Sequence, residues 1–115
     1  MYQFSYAEVL DDAPASARER EHQAIERSIE LLRAAQQAGT SSRECVEAML
    51  FVRRLWSFFL EDLALPENEL PKALRADLIS IGLWVLKEVE QIRLEKSDNF
   101  KGLIEVSEQI RDGLR

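Results

Sequence analysis

The sequence predicts an all-α protein, a small bundle of about four main helices with a short N-terminal helical segment. Only 4 of its 115 residues are glycine and 3 are proline, a composition that disfavours a turn-rich β fold. Four long segments carry apolar residues at the three- and four-residue spacing of an amphipathic helix. The length suits a single helical domain over residues 1–115, which can bury a core without metals or disulfides.

The N-terminal segment is rich in aromatic residues, and a short helix is predicted over about residues 6–11. Ser5 and Glu8 have the spacing of a capping box at a helix start. The aromatic residues of this segment are Tyr2, Phe4 and Tyr6. Their rings either pack on the core or dock on a partner, and packing on the core is favoured because a chain terminus is ordered only where something holds it.

The first long helix is predicted over about residues 16–38, with Gly39 as its C-terminal stop. Its apolar stripe is narrow and rich in small side chains, and its other side carries arginines and glutamates that form a solvated face. The stripe comprises Ala17, Ala24, Ser28, Leu31, Leu32 and Ala35, with Ile25 and Ile29 beside it.

The second long helix is predicted over about residues 42–64. Ser41 and Glu44 repeat the capping-box spacing at its start. At 100° per residue, a broad apolar arc faces one side. That arc contains Cys45, Ala48, Met49, Val52, Leu55, Trp56, Phe59, Leu60 and Leu63.

Two adjacent arginines interrupt the apolar residues of this helix without breaking its core stripe. Arg54 lies opposite the stripe, whereas Arg53 lies at its border, where the aliphatic stem can cover apolar surface. The large apolar residues that flank the polar face are Val46, Leu50, Phe51 and Phe58. One neighbouring helix would not cover them all, so either two elements of this chain cover them or another protein does. For Phe51 and Phe58, packing within the chain is slightly favoured.

The third long helix is predicted over about residues 71–95, because Pro71 suits a first turn. Its apolar arc, which includes Leu83 and Leu94, extends past half the circumference and predicts a central helix packed on both sides. Gly82 lies within this arc, which indicates close approach of another backbone. Trp84 falls on the polar side, where it is either covered by the N-terminal segment or exposed as an anchor for a partner.

The fourth long helix is predicted over about residues 99–112, with Ser97 or Asp98 as its N-cap. Its apolar face comprises Phe100, Leu103, Ile104, Val106, Ile110 and Leu114.

Several function classes are disfavoured by composition. A net charge of −6 without a basic stripe argues against direct contact with nucleic acid. We expect no enzyme, cofactor or metal site, since His22 is the only histidine and Cys45, the only cysteine, lies on a buried stripe without an activating base. The N-terminus lacks the features of a signal peptide, and no apolar run is long enough for a membrane span, so a cytoplasmic protein is expected.

The chain resembles the FlaF proteins, flagellar biosynthesis regulators of alphaproteobacteria. The matching stretches run through the whole chain: "YAEVL", "RRLW" followed by "EDLA", "LISIGLWVLKE" and "LIEVSEQIRDGL". The resemblance implies a cytoplasmic factor that binds flagellin as a type III secretion chaperone does. It also implies joint action with FlbT, a second regulator, which acts on flagellin mRNA.

These implications give two competing expectations for function. The first is a groove beside the second and third helices that covers the amphipathic ends of flagellin before export. The second is a post-transcriptional regulator, or an adaptor whose only partner is the FlbT-like protein. The residues predicted to bind a partner are Phe51, Arg53, Arg54, Trp56, Phe58 and Trp84, of which Trp56 is the weakest candidate because it falls on the core stripe.

Overall fold

The computed structural model describes residues 14–113, and the side chains of residues 19–113, as four α-helices joined by short connections. The helices are α1 (Pro14–Ala38), α2 (Arg43–Ala64), α3 (Lys72–Arg93) and α4 (Phe100–Gly113). No strand occurs among these residues. The predicted all-α bundle is therefore confirmed. The helix predicted over residues 6–11, with Tyr2, Phe4 and Tyr6, lies outside the described residues.

The helices pack as neighbours in the order α4, α1, α2, α3. The short Gly39–Ser42 turn makes α1 and α2 antiparallel. Two ion pairs, between Arg33 and Glu108 and between Arg111 and Glu26, join α1 to α4 and show that these helices are also antiparallel. The first pair is exposed and the second is part-buried. Ion pairs near the surface contribute little to stability, but these two report the register of the helices.

The core is formed by one side of every helix. Its buried apolar residues are Ile25, Ile29, Leu32 and Ala35 of α1, Cys45, Ala48, Met49, Val52 and Trp56 of α2, Val85, Val89 and Ile92 of α3, and Phe100, Leu103 and Ile104 of α4. Two buried hydroxyls are satisfied within their own helices: Ser28 donates to the carbonyl of Ile25, and Ser107 donates to that of Leu103. The predicted stripes of α1, α2 and α4 are therefore the observed core faces.

The turn between α1 and α2 depends on Gly39 and Ser42. Gly39 adopts a φ of 95°, in the left-handed region that glycine enters without steric cost. Ser42 is the N-cap of α2, and its hydroxyl accepts the N–H of Cys45 at 3.0 Å. The predicted capping box of Ser41 and Glu44 is wrong by one residue, because the Ser41 hydroxyl instead donates to Glu95 at the far end of α3.

The start of α4 also differs from the prediction. Asn99, rather than Ser97 or Asp98, caps the helix, since its side-chain oxygen accepts the N–H of Gly102 at 3.0 Å. Ser97 instead accepts the N–H of Asn99 and donates to Glu88 of α3. The connection is thus tied to α3 before α4 begins.

The C-terminus of α3 ends in a Schellman motif. The N–H of Glu95 donates to the carbonyl of Ile92, and the N–H of Lys96 donates to that of Gln91. Glu95 has a φ of 58°, which makes it the one non-glycine residue with positive φ among residues 14–113. A residue with a Cβ pays a steric penalty in this conformation, so α3 ends two residues earlier than predicted and with local strain.

We expect Glu95→Gly to raise the free energy of unfolding by about 1 kcal/mol, because glycine removes the left-handed penalty and loses only an exposed hydrogen bond to Ser41. Urea denaturation followed by circular dichroism would measure the change. Lys96→Gly is the matched control, and it should lower stability or leave it unchanged. A lower unfolding free energy for Glu95→Gly would show that the hydrogen bond to the Glu95 carboxylate contributes more to stability than relief of the backbone penalty does.

Candidate functional site

Nine large apolar side chains are exposed among the described residues. The exposed large apolar side chains are Val46, Leu50, Phe58, Leu65, Leu70, Leu74, Leu83, Trp84 and Leu94. Of the two alternatives for the flanking residues of α2, the described residues do not cover Val46, Leu50 and Phe58, which are exposed. The slight preference for packing of Phe58 is wrong, since its side chain is 61% exposed, whereas Phe51 is half-buried.

Trp56 is a core residue and does not reach the surface. Its side chain is 3% exposed, and its ring meets that of Phe59 edge-on with the centroids 5.4 Å apart. Trp56 therefore presents almost no surface to a partner in this structure, and its role in binding stays a prediction. It is buried because it lies on the stripe that faces the bundle.

Phe51, Arg54 and Phe58 lie together on one face of α2, because they are spaced by three and four residues. This face points away from α3. Trp56 contacts α3 near Gly82, and Phe58 lies two residues further, about 200° around the helix. Beside Phe58 is an open depression lined by Glu61, Asp62 and Leu65.

Trp84 lies on a different side of the bundle from Phe58. Gly82 faces α2, so Trp84, two residues later, points away from α2 by the same rotation of about 200°. The six residues predicted to bind a partner therefore do not form one surface. The structure brings together only Phe51, Arg54 and Phe58.

A second apolar surface lies along the groove between α2 and α3. We call it the α2–α3 groove, and its residues are Val46, Leu50 and Arg53 of α2 and Leu83, Glu90 and Leu94 of α3. On each helix these residues are spaced by three, four or seven positions and so share one face. The two faces lie on the same side of the antiparallel pair, because the charge of Arg53 on α2 acts on Glu90 of α3.

Glu90, at the middle of the groove, forms an ion pair with Arg93 of its own helix. The hydrogen bond from Arg93 has the largest effect and lowers the pKa of Glu90. Burial opposes this effect, and the positive charges of Arg93 and then Arg53 lower the pKa of Glu90 further. Glu90 is therefore an anion over the physiological range. Arg53 is the predicted rim residue that the structure places at this groove.

Leu83 and Leu94 are surface residues, although their apolar arc predicts a central helix packed on both sides. That prediction is wrong, because α3 packs mainly against α2 and is an outer helix of the bundle. Leu83 is 58% exposed and Leu94 is also exposed. The signal was present in the apolar arc of α3, which is wider than one neighbouring helix can cover.

The described residues contain no cluster of three or more histidine, cysteine or acidic side chains that could hold a metal ion. Cys45 is buried, and burial, with a smaller contribution from the charge of Glu95, raises the pKa of its thiol. A raised pKa disfavours the thiolate that a nucleophile needs. None of the helices in this part of the chain is long and apolar enough to cross a membrane.

The fold and the groove define a small helical bundle with an open apolar surface between two antiparallel helices. The chain belongs to the FlaF family of flagellar proteins, because the family model described as flagellar protein FlaF matches residues 2–114. Comparison with curated proteins and with solved structures gave no match.

Proposed function

We propose that this protein is a cytoplasmic, non-enzymatic flagellin-binding factor that covers an amphipathic helix of flagellin before type III export. The observation that supports the proposal most directly is the α2–α3 groove, where four apolar side chains are left exposed between two helices of a flagellar protein. Grooves of this kind bind the apolar face of a partner helix.

The size of the groove suits a helix of about three turns. Leu83 and Leu94 are separated by about 17 Å along α3 at 1.5 Å per residue, and Val46 lies beside the Leu94 end because the helices are antiparallel. A partner helix with apolar residues at three- and four-residue spacing would contact both walls. Arg53 and Glu90, at the middle of the groove, would favour partner helices with residues of opposite charge beside their apolar face.

Flagellin has the matching chemistry. Its unpolymerised ends are amphipathic segments that form helices in the filament, and they would associate prematurely in the cytoplasm if left uncovered. A small protein with a groove for one such helix would keep the subunit monomeric until export. The proposal therefore predicts a stoichiometric complex with monomeric flagellin.

We expect Leu83→Glu to weaken the affinity for flagellin by at least about tenfold, because a carboxylate would be desolvated against the partner's apolar face. Isothermal titration calorimetry of the purified chain with cognate monomeric flagellin would measure the affinity and the stoichiometry. Phe58→Glu is the matched control, since Phe58 and Leu83 are similarly exposed but point to different sides. Circular dichroism would confirm that both variants fold.

The absence of any binding by the unmodified chain would refute the proposal. If Phe58→Glu weakened binding and Leu83→Glu did not, the site would instead be the face of α2 that carries Phe51, Arg54 and Phe58.

Two further measurements test the competing role as a regulator or adaptor acting with an FlbT-like protein. A gel shift of flagellin leader RNA by the purified chain would favour the regulator, although the net charge of −6 disfavours RNA binding. Co-purification with the FlbT-like protein in the absence of flagellin would favour the adaptor.

A further inference from the structure

The open depression at the end of α2 combines apolar and acidic side chains. It is lined by Phe58, Glu61, Asp62 and Leu65, and we call it the α2-end depression. Phe58 and Leu65 are seven residues apart and therefore lie on the same side of α2. Both side chains are exposed, as is that of Leu70 in the connection that follows. The depression thus offers two apolar walls with a carboxylate beside each.

The walls of the α2-end depression are held in place by contacts within the chain. The Phe58 ring lies against that of Phe59 with the centroids 6.3 Å apart, and Phe59 packs on the core. The side-chain nitrogen of Asn68 donates to the carboxylate and to the backbone carbonyl of Asp62, both at 3.2 Å. The N–H of Leu70 donates in turn to the side-chain oxygen of Asn68. The depression is therefore preorganised, which lowers the entropic cost of binding.

The region around the depression is acidic, and its charge is not balanced by ion pairs. Residues 58–71 contain no basic residue, and their acidic residues are Glu61, Asp62, Glu67 and Glu69. All four of these side chains are exposed. The ion pairs found among residues 19–113 use other carboxylates. A cation supplied from outside the chain would therefore find carboxylates free to pair with it.

The basic residues nearest in sequence do not fill the depression. Arg75 of α3 donates to the carbonyl of Leu63 at 2.7 and 3.1 Å and to that of Leu65 at 3.3 Å. Its guanidinium thus satisfies the last carbonyls of α2 rather than the carboxylates. Arg54, one turn before Phe58, is not among the residues that line the depression.

We propose that the α2-end depression docks a basic amphipathic segment of a partner protein. A lysine or arginine of that segment would lie between the Phe58 ring and the carboxylates, where both attract a cation. Apolar residues beside it would cover Phe58 and Leu65. Two other occupants match the acidic surface less well in charge, because a second copy of the chain has a net charge of −6, and residues 1–13 hold three carboxylates and no lysine or arginine.

This docking site is separate from the α2–α3 groove and does not depend on flagellin binding there. Phe58 points away from α3, whereas Arg53 lies on the side of α2 that acts on Glu90. A segment bound in the depression therefore leaves the groove free. The two sites also differ in charge, since the groove carries both a cation and an anion and the depression carries only carboxylates.

Nuclear magnetic resonance titration of the isotope-labelled full chain tests the proposal. The probe is a synthetic amphipathic peptide of leucine, alanine and lysine, and the control peptide has glutamate in place of lysine. We expect the lysine peptide, but not the glutamate peptide, to shift the amide signals of residues 58–70 in a saturable manner. Glu61→Lys and Phe58→Ser should each weaken binding at least about tenfold, because the first removes an ionic contact and the second an apolar one.

Glu105→Lys on α4 is the matched control for Glu61→Lys, because it makes the same change of charge at an exposed position outside the depression. It should change the affinity by less than about twofold, since salt screens distant charges. Equal weakening by Glu61→Lys and Glu105→Lys would overturn the proposal by showing attraction to the net charge alone. An unchanged affinity in Phe58→Ser would overturn it as well.

Three further results would assign the depression differently and overturn the proposal. Peptide-induced shifts confined to the α2–α3 groove would show that the depression is not a docking site. Signals of residues 58–70 that shift with protein concentration, without peptide, would assign the depression to a second copy of the chain. Nuclear Overhauser contacts between the Phe58 ring and residues 1–13 in the free chain would assign it to the chain's own N-terminus.

Discussion

Trp56→Ala is expected to lower the free energy of unfolding by about 4 kcal/mol, the largest effect of any single substitution proposed for this protein. Trp56 is almost fully buried, contacts Phe59 edge-on, and has its ring 3.0 Å from the position that a Cβ would occupy at Gly82. Truncation would remove contacts to both α2 and α3 and leave a cavity that neighbouring side chains fill only in part.

Urea denaturation followed at 222 nm would measure the loss. A 115-residue domain is typically stable by roughly 6–17 kcal/mol, so the variant should remain mostly folded in buffer and give a measurable transition. Phe58→Ala is the matched control, because Phe58 lies two residues further along the same helix and is 61% exposed. It should change stability by no more than about 0.5 kcal/mol. Equal losses for the two variants would contradict the burial of Trp56.

Gly82→Val should lower the free energy of unfolding by about 3 kcal/mol, because it forces apart the two helices that form the groove. A Cβ at residue 82 would lie 2.8 Å from Leu60 Cδ2 and 3.0 Å from Trp56 Cε3. The two further methyl groups of valine would have to displace the indole ring or shift α3. Gly82→Ala should cost much less, because the gain in helix propensity of about 1 kcal/mol offsets part of the overlap.

The control for Gly82→Val is Ser80→Val on the exposed side of α3. It introduces the same β-branched side chain at an exposed position and should cost less than about 0.5 kcal/mol. Comparing the two separates the steric overlap from helix propensity. If Gly82→Val were as stable as the Ser80→Val control, α2 and α3 could not be packed as closely as the structure shows.

Gly82 is a position where part of the tertiary packing could be predicted from the sequence. A glycine inside an apolar helical arc indicated a close approach, and that approach is real. The neighbours are the side chains of Leu60 and Trp56 rather than a backbone, contrary to the prediction. Periodicity identifies the face that packs, but it carries no information about which atoms of the neighbouring helix meet it.

The helix ends were also predictable in part: their approximate positions follow from the sequence, but the capping residue does not. The predicted and observed boundaries of the four long helices differ by at most two residues at each end, because glycine, proline and the polar caps mark the ends locally. The choice between Ser41 and Ser42 as the cap depended on Glu95, which lies more than fifty residues away in sequence. Local patterns leave such a choice open, since the competing hydrogen-bond partner comes from another helix.

The candidate site could be predicted only in part. The excess of apolar residues on α2 and the border position of Arg53 could be predicted from residue spacing alone. The sequence could not predict that Arg53 lies on the same side as Leu83, Glu90 and Leu94, because this depends on the antiparallel register of α2 and α3. Phe58 and Trp84 were grouped as anchors of one surface, although they point to different sides of the bundle.

By itself, the sequence determined the helical class, the four helices, the core face of α1, α2 and α4, and the absence of a basic stripe. These properties follow from the spacing and charge of residues that are close in the chain. Only the tertiary structure decided that α3 is an outer helix, that α4 ends beside the middle of α1, and that a groove lies between α2 and α3. Each of these depends on how far one helix extends beside another, which is fixed by packing between residues that are distant in sequence.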